Sequence, residues 1–350
     1  MKYDIISEKD LFCSTDILSI ACFADFRPVN VKPLTGKMPL EQCWIWRWPH
    51  LLTLVLTFIA VFPGKSQDQA PSSYPDSLMP GRLKTVIIAE SVFYVGGLLY
   101  LNNIWYKDHA SVPFHFYNDN RGWMQIDKAG HMYTAYYQSY YGMKALQWAG
   151  VPKKKAIWFG GTLGIILQTP IELFDGLYEG YGFSAGDMIA NAAGSALMIG
   201  QELLWDEQRI LMKFSYSPTE YPQYRPSYFG ESPVESFFVD YNGHTYWLSA
   251  NLSSFAPSAN LPKWFNLALG FGADGMLAEF ENPSYYRGEA LPPFARTRQW
   301  YLSIDLDLRK IPTKSKFLKS VFHALNMLKF PAPTLEFNKK DGLKFHPVYF

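Results

Sequence analysis

The sequence predicts an α+β fold, in which a four-helix, membrane-associated bundle with a polar interior is followed by a small antiparallel β domain. Residues 82–209 carry polar side chains at helical spacing, whereas residues 215–350 alternate in polarity and contain turn pairs. Of the 350 residues, 17% are aromatic and only 18% are charged. Such a chain has a large apolar surface to place in a core or in a membrane.

Net charge and cysteine content exclude several classes of protein. The formal net charge is +1, so there is no basic field of the kind that binds nucleic acid. The cysteines are Cys13, Cys22 and Cys43, all near the start of the chain. A chain trimmed beyond them would contain neither a disulfide framework nor a thiolate metal site.

The apolar run LLTLVLTFIAVF, residues 51–62, has the length of a signal-peptide core. The small residues Gly64 and Ser66 precede a predicted cleavage before Gln67. Met38 opens MPLEQCWIWRWPH, which fits a signal-peptide n-region with Arg47 just before the apolar run. Residues 1–37 are therefore interpreted as an upstream extension and residues 1–66 as absent from the mature protein. An uncleaved signal anchor is the alternative. No cysteine stands at the cut to carry a lipid, and export predicts a periplasmic or outer-membrane-associated location.

Four helices are predicted, at residues 83–106, 127–149, 154–178 and 185–209, with Ser184 capping the last. A hairpin turning at Asn242-Gly243 is predicted in SFFVDYNGHTYWLSANL, and a closing hairpin at Asp341-Gly342. Strict alternation in QWYLSIDLDL predicts a strand between them. The predicted division is therefore a helical domain at 82–209 and a β-rich domain at 215–350.

Three of these helices each carry a narrow polar stripe, with members three or four residues apart. The stripes face either water or one another. The third helix favours the second arrangement because it is apolar nearly all round, and its Gly160 and Gly164 allow close helix packing. The resulting polar interior cluster comprises Asp127, Lys128, His131, Gln168, Glu172, Asp175, Ser184, Asp187 and Asn191.

Three interpretations of this cluster remain open: a metal or catalytic site, a structural network, and a binding pocket for an envelope lipid or glycan. Imidazole with carboxylates suits zinc, iron or manganese, so Asp127, His131, Glu172 and Asp187 are candidate ligands of a divalent metal. Alternatively, no cofactor binds, and the same groups form a buried hydrogen-bonded network that fixes the helix register. His109 and His115, which lie with Asp108 and Asp119 in the loop before the second helix, are candidates to extend the site.

The segments DKAGH, at residues 127–131, and ELFDG followed by GFSAGDMIANAAG, at residues 172–194, resemble the YfiM-like family of predicted periplasmic lipoproteins. They are more distantly similar to VanZ-like membrane proteins. The resemblance covers about residues 82–209 and leaves the β-rich region outside. It implies an envelope protein and supplies no reaction.

The sequence therefore predicts an exported bacterial envelope protein that is not an enzyme. Its predicted role is to bind a membrane lipid or an envelope glycan, or to scaffold protein partners that the sequence does not identify. The alternative is a metal-assisted hydrolase acting on an envelope lipid or glycan.

Overall fold

The computed structural model of the chain describes residues 74–75, 77–106 and 109–350. The predicted extension, signal peptide and cleavage before Gln67 lie outside these residues and stay predictions. The described part combines α-helices with an antiparallel sheet, which confirms the α+β class.

Among the described residues, the long helices are those of the N-terminal half. In chain order the α-helices are α1 (Pro80–Trp105), α2 (Ile126–Trp148), α3 (Lys153–Gly161), α4 (Leu163–Asp175), α5 (Ala185–Trp205), α6 (Pro226–Phe229), α7 (Pro233–Val239), α8 (Leu252–Phe255) and α9 (Lys316–Leu325). Five segments thus stand where four helices were expected.

The third predicted helix divides at Thr162, which ends α3 and begins α4. Gly160 and Gly161 just before it have low helix propensity. The carbonyl oxygen of Gly161 accepts a hydrogen bond from Ser139 Oγ of α2 at 2.6 Å, so this turn is fixed by a neighbouring helix. The expectation of one continuous helix was therefore wrong.

The start of α5 matches the prediction. Ser184 Oγ accepts a hydrogen bond from Asp187 N at 3.1 Å, which is the N-cap bond that satisfies a free backbone donor. Asp206, with a left-handed φ of 60°, ends α5 before the predicted residue 209.

Helix α2 is the centre of the helical region, and α3, α4 and α5 pack around it. Its buried side includes Tyr136, Tyr140 and Met143. At the crossings the helices approach through glycine: a Cβ atom on Gly160 would lie 2.3 Å from Met143 N, and one on Gly164 would lie 2.2 Å from Ala135 O. The predicted small-residue contact at Gly160 and Gly164 is confirmed.

The strands form one six-stranded antiparallel sheet in the order β1-β2-β3-β6-β7-β8, with β4 and β5 as a separate pair. They are β1 (Ile210–Tyr216), β2 (His244–Asn251), β3 (Phe265–Asp274), β4 (Tyr285–Tyr286), β5 (Glu289–Ala290), β6 (Thr297–Leu306), β7 (Ala332–Asn338) and β8 (Gly342–Tyr349). The closing hairpin at Asp341-Gly342 is confirmed.

The other predicted hairpin, around Asn242-Gly243, is wrong. Ser232 caps a helix that opens with Pro233, so the expected first strand is α7. Asn242 does not serve a two-residue turn. Its side chain instead binds both backbone groups of Met276, at 3.0 and 2.8 Å, and so fixes the start of β2 against a neighbouring loop.

The alternation predicted for β6 is present, and its polar side faces inward. Tyr301, Ser303 and Asp305 are buried, whereas Trp300 is 55% exposed and Leu302 is 40% exposed. The inner face of the sheet therefore carries hydrogen-bonded polar groups, and the outer face carries apolar ones, the reverse of an ordinary sheet over an apolar core.

The outer edge of β1 is occupied by a later part of the chain. Residues 327–329 run parallel to β1: Phe214 N donates to Met327 O at 3.0 Å, and Lys329 N donates to Phe214 O at 2.9 Å. Ser217 Oγ donates to Phe350 O at 2.5 Å. The free edge of β1 is thus covered by backbone from the far end of the fold.

Candidate functional site

Two loops beside the helices hold the outer part of the site. Residues 109–117 pair with residues 176–183, with Tyr117 N donating to Phe183 O at 3.0 Å and His115 N donating to Gly176 O at 2.9 Å. This pairing brings Asp119 beside Ser184, whose Oγ donates to Asp119 Oδ1 at 2.5 Å.

The polar stripes of α2, α4 and α5 meet around His131. Its Nε2 atom lies 3.8 Å from Asp127 Oδ1, 3.7 Å from Glu172 Oε1 and 4.0 Å from Asp187 Oδ2. These separations are too long for hydrogen bonds. Three carboxylates from three helices thus surround one imidazole nitrogen, and none of them forms a hydrogen bond with it.

The other ring nitrogen of His131 is bound. His131 Nδ1 lies 3.2 Å from Asn191 Oδ1. A carboxamide oxygen only accepts hydrogen bonds, so this contact is a hydrogen bond in the tautomer that carries its proton on Nδ1. The ring is therefore oriented with Nε2 toward the carboxylates.

Lys128 neutralises the outer side of the cluster. Its Nζ lies 2.6 Å from Asp119 Oδ2, 2.9 Å from Asp187 Oδ1 and 3.3 Å from Asp127 Oδ2. Burial lowers the pKa of Lys128, but the charges of Asp127 and Asp187 outweigh it, so the pKa is raised and the lysine is a fixed cation.

The deepest carboxylate is that of Glu172, which is 0% exposed. Its Oε2 accepts a hydrogen bond from Ser184 N at 3.2 Å. Its Oε1 is buried, has no hydrogen-bond partner among the described residues and faces His131. A buried carboxylate oxygen without a partner is costly, so Glu172 is the group in the cluster that most needs a further ligand.

The carboxylates of the cluster differ in acidity. Burial and the charge of Asp127 raise the pKa of Asp187 to about 7. Burial also raises the pKa of Asp119, but hydrogen bonds from Lys128 and Ser184 reverse this and hold it below its ordinary value. Burial lowers the pKa of His131, and the surrounding carboxylates more than compensate and raise it.

Two predicted members lie away from His131. Gln168 lies one turn before Glu172 on α4, and its Nε2 donates to Gln138 Oε1 at 3.2 Å. Asp175 accepts a hydrogen bond from Tyr106 OH. The loop histidines contact backbone carbonyl oxygens and do not extend the site. His109 Nδ1 lies 2.8 Å from Glu179 O, and His115 Nε2 lies 2.8 Å from Tyr181 O.

Sequence reasoning missed Tyr241, whose hydroxyl donates to Asp127 Oδ1 at 3.1 Å. Asp119 was expected only to share a loop with His109 and His115, although it is directly paired with Lys128. Tyr241 comes from the loop before β2, and no pattern within the helical region points to it.

A second feature lies on another side of α2. A groove of about 530 Å³ runs between this helix and the outer face of the sheet. The helix contributes Ala129 and Met132, and the strands contribute Leu269, Phe271 and Trp300 among others. Lys128 and His131 of α2 therefore face the polar cluster, and the adjacent residues Ala129 and Met132 face the apolar groove.

Comparison with known proteins bears on the helical region. Residues 116–200 match the family model of predicted periplasmic lipoproteins (DUF2279). The matched stretch contains every predicted member of the polar cluster and ends before β1. No curated protein and no solved structure matches the chain.

The match supports the predicted location: the protein is an exported component of the periplasm or the cell envelope. The narrower resemblance to YfiM-like and VanZ-like proteins stays a prediction. So does the division into a helical and a β-rich domain.

Proposed function

We propose that this envelope protein is a non-enzymatic component that binds the acyl part of a membrane lipid in the groove between α2 and the sheet. The observation that carries the proposal is the chemistry of that groove, whose outward side chains from α2, β3 and β6 are aliphatic or aromatic. Its volume of about 530 Å³ falls within the roughly 300–1,000 Å³ of ordinary ligand pockets.

The strand register supports the same role. One row of apolar side chains crosses five strands at directly paired positions: Leu248, Leu269, Leu302, Leu335 and Phe345. All five are exposed, with Leu269 at 60%. Soluble proteins rarely present a continuous apolar surface of this kind unless it contacts a partner or a membrane.

Helix α1 adds a second apolar surface. Among the described residues, two stretches are long and apolar enough to cross a membrane, Pro80–Tyr100 and Lys153–Asp175. Only 6% of the first is buried, with Val92 and Leu99 both exposed. A core helix of a soluble protein would be mostly buried, so this surface favours contact with lipid and the predicted membrane-associated arrangement.

The groove favours a lipid over a glycan. A glycan site needs side-chain donors and acceptors placed for hydroxyl groups, whereas the outward side chains of Leu269, Phe271 and Leu302 offer none. The polar groups of the same strands point to the inner face, where Ser249 and Asp305 bond to each other.

The test compares two leucine substitutions. Leu269→Lys places a charge in the groove at an exposed position, and Leu204→Lys places one at the exposed end of α5, away from the groove. Both proteins are titrated with a fluorescent fatty acid, and co-purified lipid is counted by native mass spectrometry.

We expect wild type and Leu204→Lys to bind the probe alike and Leu269→Lys to bind it at least about tenfold more weakly, the effect of about 1.4 kcal/mol. Equal binding by all three proteins, or an equal loss in both variants, would refute the groove as the lipid site.

A further inference from the structure

We infer that the polar cluster binds one divalent transition-metal ion between His131 Nε2 and the carboxylates of Asp127, Glu172 and Asp187. The inference is independent of lipid binding. It provides what the alternative hydrolase function would require.

The geometry is the first support. Ligand atoms of Asp127, His131 and Asp187 all lie within 4.8 Å of one another. Nε2 is 3.7–4.0 Å from the three carboxylate oxygens. Atoms that each lie about 2.0–2.2 Å from a common ion are separated by roughly 3–4 Å. The spacing around Nε2 is therefore too wide for direct hydrogen bonds and suited to a shared ion. Asp127, His131 and Asp187 form the compact ligand set, and Glu172 adjoins it through its contact with His131.

Glu172 is the second support, and it is independent of the acidic cluster as such. This side chain is fully buried, and Oε1 lacks a hydrogen-bond partner while it faces His131. Lys128 reaches Asp119, Asp127 and Asp187 but forms no ion pair with Glu172. A metal ion at Nε2 would give this oxygen the cation that the protein itself does not provide.

Asn191 is the third support. Histidines that ligate metals commonly use their second nitrogen to bind an oxygen atom that fixes the ring. The contact between His131 Nδ1 and Asn191 Oδ1 has this form. It leaves Nε2, the nitrogen that faces the carboxylates, as the ligand atom.

The charges agree with a divalent ion. The cluster contains four carboxyl groups, those of Asp119, Asp127, Glu172 and Asp187, and one lysine. An imidazole with carboxylates selects zinc, manganese or iron over magnesium and calcium.

The full chain, purified without chelator, is dialysed against zinc or cobalt(II), freed of loose metal and subjected to elemental analysis. We expect about one ion per chain, a higher melting temperature with zinc, and cobalt(II) absorption in the visible range that reports a nitrogen and oxygen site. These wild-type measurements do not depend on any variant folding. No uptake, or cobalt(II) held only at exposed sites, would overturn the inference.

Variants locate the ion. Glu172→Gln and His131→Gln should lower bound metal to background. Asn191→Ala should weaken binding by about 10–100-fold, the usual effect of losing a residue that orients a ligand.

Asp175→Asn is the matched control, because this carboxyl lies on the same helix as Glu172 but binds Tyr106 and not His131. It should retain the metal. An equal loss in Asp175→Asn and Glu172→Gln would refute the assigned ligands, and the fatty-acid titration of the same proteins would still report separately on the groove.

Discussion

Gly194 of α5 lies directly against the backbone of α2, so that a Cβ atom on Gly194 would be only 2.1 Å from the carbonyl oxygen of Met132. No side chain fits in that space. The close approach brings Asn191 and Asp187, one and two turns earlier on α5, to His131, the residue before Met132. The polar cluster therefore depends on a residue that carries no functional group.

Gly194→Ala tests this dependence. Alanine normally stabilises a helix interior by about 1 kcal/mol relative to glycine. At Gly194 the added methyl group should separate α5 from α2 and lower the free energy of unfolding by about 1–3 kcal/mol. Urea denaturation measures the change.

The control is Gly200→Ala, on the same helix, where a Cβ atom would meet nothing within 4 Å. This variant should be as stable as wild type or up to about 1 kcal/mol more stable. Similar stability of the two variants would show that the helices do not pack as described.

A second prediction concerns the inner face of the sheet. Asp305 lies 2.8 Å from Lys213 Nζ, and both side chains are 0% exposed. Asp305→Asn leaves the buried ammonium of Lys213 without its counter-charge, so the free energy of unfolding should fall by about 3–5 kcal/mol. Thermal and urea denaturation measure it.

Asp341→Asn serves as the comparison, because Asp341 pairs with Lys344 at the exposed β7–β8 turn. It should leave stability nearly unchanged, since exposed pairs are screened by solvent. Equal effects at Asp305 and Asp341 would contradict a buried polar interior.

A third prediction concerns pH. His244 is buried at the start of β2, with Nε2 2.9 Å from Phe237 O. Burial lowers its pKa to about 4, although the hydrogen bond to Phe237 acts in the opposite direction. The unfolded chain, with an ordinary histidine pKa near 6.5, therefore takes up a proton at a higher pH than the folded protein.

The contribution of His244 to stability is complete above about pH 6.5 and is lost as the pH falls toward 4, by about 1.4 kcal/mol per pH unit. His244→Gln should remove this component, so unfolding free energies measured between pH 7 and 4.5 should decrease more steeply for wild type than for the variant. Parallel curves would mean that His244 is protonated in the fold.

Local signals predicted the helix starts and the alternation of β6. Ser184 caps α5 because its hydroxyl satisfies a local backbone donor, and this depends only on neighbouring residues. The side of β6 that faces inward could not be predicted in this way. Which of Trp300 and Tyr301 is buried depends on the curvature of the whole sheet. The Asn242-Gly243 turn failed because Asn242 binds Met276, a tertiary contact.

The candidate site shows the same limit. Spacing of four residues places Asp127 and His131 on one helix face, and the structure brings Glu172 and Asp187 to them. Gln168 belongs to the same stripe as Glu172 but lies one turn earlier on α4, where its side chain meets Gln138 and not His131. Helical periodicity identifies a face but not the point along it where another helix crosses.

The closure of the sheet has a consequence for secretion. A polypeptide that is exported N-terminus first delivers β1 to the envelope long before residues 327–329 can cover its edge. The partner of Ser217, the carbonyl group of Phe350, is 133 positions later in the chain. Until then, the unpaired edge of β1 and the apolar sides of the early strands are open to wrong pairing. The sheet can close only after translocation has passed residue 329.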